Sequence, residues 1–184
     1  MSVHQIEEKK VEAQTMHMHL PAAATADVCD ANPSAKVLQC WFASYGGKSK
    51  CAGPIETIST RDDNSLVKTV LAENGAGRIL LIDNKASTNC AMIGGNLADI
   101  AAKNGWAGIV VNGAVRDVEE LRETPIAIFA LASCPRRSLN RGIGERGSAV
   151  RMGGERISFE DFLVADADGV VVLPSWSTNG GQHV

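Results

Sequence analysis

The chain has 184 residues, of which 45% are hydrophobic and 21% are charged, and its formal net charge at pH 7 is −3. A chain of this length is expected to form one domain that buries a core without stabilising disulfides, and its aromatic content of only 4% favours packed α/β layers over an aromatic-rich β-sandwich. Because the net charge is negative, we expect no extended positive surface that could bind a phosphate backbone, which argues against direct binding of nucleic acid.

The predicted elements follow an N-terminal arm, residues 1–24, which could form a short amphipathic helix or remain flexible. Thr25–Ala31 begins with a residue typical of helix N-caps and is predicted to be a short helix. Pro54–Thr60 alternates apolar and polar residues, which predicts a strand with one covered face. A helix is predicted over Leu66–Glu73, because Asp63-Asn64-Ser65 can cap its start.

The middle of the chain has the clearest pattern. Arg78–Asp83 is a continuous apolar run between turn residues, which is typical of a buried strand. Asn96–Asn104 carries apolar residues at helical spacing and stops at Gly105, and Ala107–Val111 is a second apolar run. A strand, a helix and a strand in this order predict a βαβ unit with parallel strands.

The C-terminal third is predicted to consist mainly of strands. Ile126–Ala130 is the first of them, and a polar loop rich in Arg and Gly follows it at Pro135–Gly147. Three more strands are expected at Ala149–Arg151, Phe162–Ala165 and Gly169–Leu173, before a polar tail at residues 175–184. The whole pattern predicts an α/β fold in one domain, residues 25–174.

The five cysteines are widely spaced and include no CxxC pair, which disfavours zinc ribbons and disulfide frameworks. We therefore expect reduced and mostly buried thiols in a cytoplasmic protein. No run of 18 apolar residues occurs, and the first residues are charged rather than apolar, so neither a membrane span nor a secretory signal is expected.

A glycine turn is the first candidate binding feature. Gly94-Gly95-Asn96-Leu97 stands just before and within the start of the predicted middle helix. Paired glycines let a backbone approach a ligand closely, and the unpaired N–H groups of a first helical turn suit a carboxylate or a phosphate. The alternative is an ordinary tight turn.

An Arg-Asp pair is the second candidate feature. Arg116 and Asp117 follow the second strand of the βαβ unit, after a predicted turn at Asn112-Gly113-Ala114. Arg offers a planar fork that matches a carboxylate, and Asp is a hard oxygen ligand for Mg²⁺ or Mn²⁺. Glu120, three residues later on a predicted short helix, shares a face with Asp117 and could hold a metal-bound water. The alternative is a surface salt bridge.

These residues resemble the family of regulator of ribonuclease activity A and 4-hydroxy-4-methyl-2-oxoglutarate aldolase. The segments that carry the resemblance are Gly94–Ala98, Asn104–Val111 and Gly113–Asp117. Further matches are Asp27–Ala31, Phe42–Gly47, Asp63-Asn64, Gly142–Glu145 and Ala165–Val172. The resemblance covers roughly residues 25–174.

The resemblance implies a swivelling α/β fold with a β-sandwich-like core, assembled as a trimer ring or a dimer of trimers with active sites between subunits. In the aldolase branch a glycine or an aspartate precedes Arg-Asp by the spacing that separates Gly95 from Arg116. The glycine form goes with an acid three places beyond the Asp, which is Glu120 here. Gly94–Leu97 would then bind substrate through backbone N–H groups, Arg116 would hold its carboxylate, and Asp117 would hold the metal, partly through waters.

The implied function is a metal-dependent lyase of 2-oxo acids that cleaves 4-hydroxy-4-methyl-2-oxoglutarate by a retro-aldol reaction and decarboxylates oxaloacetate. The alternative is a non-catalytic regulator that binds ribonuclease E or an RNA helicase. Fold cannot decide between the two, although an inhibitor has no need for Arg116-Asp117 with Glu120. A third possibility, an S-adenosylmethionine-dependent methyltransferase, is disfavoured because no GxGxxG turn follows a strand.

Overall fold

Twelve strands and four helices make up the part of the chain that the computed structural model describes, residues 23–159 and 161–174. The helices are α1 (Thr25–Ala31), α2 (Ser65–Leu71), α3 (Gly95–Lys103) and α4 (Val118–Glu123). The strands are β1 (Lys36–Val37), β2 (Ala43–Ser44), β3 (Cys51–Ser59), β4 (Ile79–Asp83), β5 (Ala91–Ile93), β6 (Gly108–Val115), β7 (Ala127–Ser133), β8 (Glu145–Arg146), β9 (Val150–Met152), β10 (Glu155–Ile157), β11 (Phe162–Ala165) and β12 (Val170–Leu173).

Ten of these strands form one mixed sheet in the order β1-β12-β11-β3-β4-β6-β7-β2, with β5 beside β6 and β8 beside β3. The long strand β3 joins its two halves. Residues Cys51–Pro54 pair antiparallel with β11, and Ile55–Ser59 pair in parallel with β4. Strands β4, β6 and β7 continue the parallel half, and β9 and β10 form a separate hairpin.

Side chains on the parallel strands alternate between two apolar cores. Leu80 and Ile82 of β4 belong to a core that α2, α3 and α4 cover. Ile79 and Leu81 belong to a second core, closed by the β9–β10 hairpin and by β11 and β12. Because both faces of β4 are covered, its sequence is apolar throughout rather than alternating.

The α/β fold class that the sequence predicts is confirmed, and β4, α3 and β6 form the expected βαβ unit with parallel strands. Strand β3 begins at Cys51, before the predicted Pro54, because its first residues pair with β11. The predicted loop Pro135–Gly147 contains the short strand β8. Residues 1–22 of the predicted arm and the predicted tail, 175–184, lie outside the described residues.

The turn predicted at Asn112-Gly113-Ala114 is wrong, since these residues continue β6 to Val115. The register of β6 against β7 shifts between Val111 and Ala114, so a bulge keeps the strand in the sheet. The Asn112 side chain donates to the buried Asp83 carboxylate at 2.9 Å. Turn-forming residue types therefore mark an irregularity within a strand here.

All five cysteines have free thiols, but only Cys51 and Cys90 are buried, fewer than the sequence suggested. Burial raises the pKa of Cys51 to about 12. Burial, together with the negative charge of Asp62, raises the pKa of Cys90 to about 11. Neither thiol is therefore a ready nucleophile near neutral pH. Among residues 23–159 and 161–174, no helix combines the length and the apolar character needed to cross a membrane.

A buried carboxylate joins several segments of the helix-covered side. Glu56 is 2% exposed, and its Oε2 accepts from Arg78 Nη1 at 3.0 Å and from Arg146 Nη2 at 2.9 Å. Arg146 also pairs with Glu73 at 2.8 Å, and the Arg78 guanidinium lies 4.9 Å from the Trp106 ring centroid. The network ties β3 to β8, to the end of α2 and to the strand after it.

We expect Glu56→Ala to lower the free energy of unfolding by roughly 3 kcal/mol, because it removes the buried partner of two guanidinium groups that are themselves only partly buried. Urea unfolding followed by tryptophan fluorescence measures the change. Glu119→Ala is the matched control: the Glu119 side chain is exposed and makes no hydrogen bond to a described residue, so this substitution should change the free energy of unfolding by no more than about 0.5 kcal/mol. Equal stabilities of the two variants would contradict this role for Glu56.

Candidate functional site

Two turns meet at the carboxyl end of the parallel half of the sheet. One is the β5–α3 turn at Gly94, and the other is the β6–α4 turn at Arg116-Asp117. Strands β5 and β6 are parallel neighbours, and the Arg116 N–H donates to the Ile93 carbonyl at 2.9 Å. The structure therefore brings together the two features that the sequence singles out, at the edge where ligands of parallel sheets bind.

Asp117 joins the two turns. Its backbone is left-handed, with φ 56° and ψ 45°, and it occupies the N-cap position of α4. Its Oδ2 accepts the Gly95 N–H at 3.2 Å and lies 3.4 Å from Arg116 Nε. Left-handed backbone is costly for a residue other than glycine, although Asp and Asn tolerate it best. This strained residue therefore clamps the first helical turn of α3 to the Arg-Asp corner.

The two glycines provide space rather than an unusual backbone. Gly94 is extended, at φ −138° and ψ −179°, but a Cβ there would lie 2.5 Å from Asp117 Oδ2 and 3.1 Å from Arg116 Nε. A Cβ on Gly95 would lie 1.9 Å from Glu120 Oε2. The Glu120 carboxylate thus fills the space that a side chain at position 95 would need, which gives a physical reason for pairing a glycine with this acid.

The backbone N–H groups of the glycine turn are partly used within the protein. Gly95 donates to Asp117, and the Leu97 N–H donates to the Gly94 carbonyl at 3.0 Å. The Asn96 N–H donates to no described residue. Binding of substrate by this turn stays a prediction, and Asn96 is the helical donor best placed for it.

A cavity of about 110 Å³ lies between the two turns and the opposite wall. The predicted residues that line it are Gly94, Asn96, Leu97, Arg116 and Asp117. The opposite wall was missed by sequence reasoning: it consists of Asn64, Lys68, Arg137, Ser138 and Asn140. The segment 137–140 reaches the cavity because the Ala91 N–H donates to the Arg136 carbonyl at 2.8 Å, a contact that no local pattern reports.

Cations outnumber carboxylates in this cavity. Lys68, Arg116 and Arg137 contribute three positive charges, against one negative charge from Asp117. Asn64 Oδ1 and Ser138 Oγ are buried without a hydrogen-bond partner in the described part of the chain. Buried polar atoms are normally paired, so these two call for a ligand or a water. The arrangement suits a small polar molecule with more than one negative charge.

Glu120 does not line this cavity. It borders a separate depression of about 240 Å³ with Gly95, Asp99 and Glu123. The predicted contact of Glu120 with a metal-bound water therefore needs a water that reaches past Gly95, and it stays a prediction.

The residues around Asp117 could bind only a cation that takes few of its ligands from the protein. In the part of the chain that the structure describes, no three His, Cys, Asp or Glu side chains are grouped so as to hold a metal. Asp117 Oδ1 accepts no hydrogen bond from a described residue, which leaves one hard oxygen donor beside the cavity. Mg²⁺ commonly binds through one or two carboxylates and completes its shell with waters and substrate oxygens, so this corner fits such an ion.

Comparisons with known proteins agree on one family. The model of the RraA-like family, described as Aldolase/RraA, matches residues 25–172. A Burkholderia mallei protein named "Putative 4-hydroxy-4-methyl-2-oxoglutarate aldolase" is 48% identical over 155 residues, which cover 81% of this chain and 94% of that protein.

Two solved structures have the same fold. The RNA-processing inhibitor RraA from Thermus thermophilis is 44% identical with a TM-score of 0.80, and the match covers 86% of this chain and 99% of that one. A structure from Geobacillus kaustophilus described as an S-adenosylmethionine: 2-dimethylmenaquinone methyltransferase is 36% identical with a TM-score of 0.81, covering 88% and 100%.

Because the backbone of Asp117 is left-handed, we expect glycine at this position to give a more stable protein than alanine. Asp117→Gly and Asp117→Ala both remove the carboxylate, but only Ala keeps the steric cost of this conformation. We expect the Gly variant to be the more stable by about 1 kcal/mol in urea unfolding, the reverse of the order inside a helix. An Ala variant as stable as the Gly variant would show that the conformation is not strained.

Proposed function

The chain belongs to the RraA-like family, and we propose that it is a divalent-metal-dependent lyase that cleaves a carbon–carbon bond in small 2-oxo acids. The proposed reactions are retro-aldol cleavage of 4-hydroxy-4-methyl-2-oxoglutarate and decarboxylation of oxaloacetate. The observation that carries the proposal is the clamped corner of Gly95, Arg116 and Asp117 beside a cavity with excess positive charge.

The charges of the cavity support a substrate with two carboxylates. Arg116 would bind the carboxylate next to the keto group, since its guanidinium can donate two parallel hydrogen bonds. Lys68 and Arg137, on the opposite wall, would attract the second carboxylate. The unpaired Asn64 Oδ1 can accept a hydrogen bond from the substrate hydroxyl. Both proposed substrates are dianions, which matches the excess of positive charge in this cavity.

Asp117 would hold Mg²⁺ or Mn²⁺ through its carboxylate, with the remaining positions left to waters and substrate. When bound, the ion would act as a Lewis acid and stabilise the negative charge that bond cleavage leaves on the keto oxygen. Arg116 and the Asn96 N–H would orient the substrate so that the carbon–carbon bond to be broken is perpendicular to the plane of the keto group. A water held by the Arg116 guanidinium would take the proton of the substrate hydroxyl in the retro-aldol cleavage, and in both reactions a proton from water would go to the enolate carbon to give pyruvate.

The direct test is turnover of oxaloacetate with Mg²⁺ or Mn²⁺, which EDTA should abolish. Asp117→Asn keeps the shape and the acceptor for the Gly95 N–H but loses the charge, so we expect kcat/KM to fall by at least about a hundredfold. Glu119→Gln, an exposed change on the same helix, serves as the control. Full activity in Asp117→Asn or in EDTA would remove the proposed mechanism.

A second candidate function is inhibition of RNA processing through contact with a ribonuclease such as ribonuclease E. The identity of 44% to the Thermus protein supports it. Inhibition through surface contacts does not require a strained Arg-Asp corner at a cavity. For this reason we prefer the lyase function to the inhibitor function. Tight binding and inhibition of the ribonuclease by a protein without turnover of any 2-oxo acid would reverse the order.

We also propose that the chain forms a trimer or a hexamer with its sites at subunit contacts. Leu139 and Ile143 are 50% and 46% exposed on the segment that carries one wall of the cavity. Apolar side chains exposed beside a polar site suit contact with a second copy. Light scattering of the purified protein measures the assembly, and a monomer at micromolar concentration would contradict it.

A further inference from the structure

The loop that carries Arg137, Ser138 and Asn140 is held at both ends. Its start pairs with Ala91 of β5, and its end is hydrogen-bonded to one short segment, Asp62–Ser65. The Leu139 N–H donates to the Asp62 carbonyl at 2.9 Å, and the Asn64 N–H donates to the Leu139 carbonyl at 3.4 Å. The Gly142 N–H donates to the Ser65 hydroxyl at 3.2 Å. Residues 139–142 thus take their position from Asp62–Ser65.

Asp63 makes the strongest of these attachments. Its side chain is fully buried, Oδ1 accepts the Ser65 N–H at 2.8 Å, and Oδ2 accepts the Arg141 N–H. It forms no salt bridge with a described residue. A buried charge without an ion-pair partner is expensive, and hydrogen bonds from N–H groups are what compensates it here. Burial raises the pKa of Asp63, but these hydrogen bonds and the nearby charge of Arg141 bring it below its ordinary value.

The position of Asp63 separates it from the ligand. Asn64, the next residue, lines the cavity, whereas Asp63 does not. Arg141, which it holds, follows directly after Asn140, and Asn140 Oδ1 accepts from Lys68 Nζ. One carboxylate therefore fixes the loop end beside two of the wall's polar side chains, while the clamp at Asp117 depends on other strands.

We propose that Asp63 is a positioning residue that sets the Arg137–Asn140 wall and thereby selects 2-oxo acids with a second carboxylate. This inference rests on the proposed function for the identity of the substrate. Asp63 acts through the Asn140–Lys68 pair and through the end of the loop that also carries Arg137. Lys68 and Arg137 would hold the distal carboxylate, and Arg116 and Asp117 stay unchanged. Its loss should weaken binding of dicarboxylates and spare binding of monocarboxylates.

The test compares Asp63→Asn with Asp166→Asn, both in the full chain with Mg²⁺. Asp166 is a matched control: its carboxylate also accepts backbone N–H groups, from Thr25 and Asp168, but it holds α1 on the sheet, away from the cavity. Calorimetry gives the affinities for 2-oxoglutarate, a dicarboxylate that this chemistry does not cleave, and for pyruvate. We expect Asp63→Asn to weaken 2-oxoglutarate binding about tenfold and pyruvate binding less than about twofold; Asp166→Asn should change neither.

A second readout needs no ligand. Trypsin can cut after Arg136, Arg137 and Arg141, and cleavage there reports local opening of the wall. Asp63→Asn should speed cleavage at these sites about tenfold. Ser65→Ala is a milder variant that removes the acceptor of the Gly142 N–H, and it should also speed cleavage. It replaces Asp63→Asn in the test if that variant does not fold. Equal weakening of 2-oxoglutarate and pyruvate, or unchanged cleavage, would overturn the proposal. If the wild-type protein binds 2-oxoglutarate and pyruvate but does not turn over oxaloacetate, the proposed lyase function is refuted while the positioning role of Asp63 is not.

Discussion

The hydrogen bond between the Gly95 N–H and Asp117 Oδ2 is the constraint on which the site depends. It joins a turn that follows β5 to a turn that follows β6, and it can form only because the two strands lie side by side and in parallel. It also needs Asp117 in a left-handed conformation and no side chain on Gly94. The choice of residue at positions 94 and 117 therefore follows from one contact at the edge of the sheet.

That contact also governs the electrostatics of the cavity. The carboxylate of Asp117 repels a dianion, while Lys68, Arg116 and Arg137 attract one. A divalent cation on Asp117 would turn this corner from a repulsive to an attractive charge, and every positive group of the cavity would then favour the same ligand. A metal and an anionic substrate would thus each improve the binding of the other.

Local patterns in the sequence predict the elements whose structure is set within one continuous segment. The apolar run of β4, the spacing of α3 and the Arg-Asp pair after β6 can all be read within one segment, and the structure brings them together as neighbours. Strand β5, with only three residues, and the bulge in β6 depend on pairing with distant strands, so periodicity does not reveal them. The same reason explains why Lys68, on α2, and Arg137, on the loop after β7, were missed: they meet at the cavity through contacts between segments that are distant in the sequence.

The two sides of the cavity are supported in different ways. Arg116 and Asp117 stand on the ends of sheet strands, where ladder hydrogen bonds and two apolar cores hold the backbone. Much of the opposite wall stands on a loop that is fixed by hydrogen bonds to Ala91 at its start and to Asp62–Ser65 at its end. A substitution in that loop can therefore shift the Arg137 side chain while the strands keep their ladder hydrogen bonds. If the proposed function holds, bond cleavage and substrate preference would therefore be separable in this fold: the sheet would fix the corner where charge develops, and the loop would decide which acid binds.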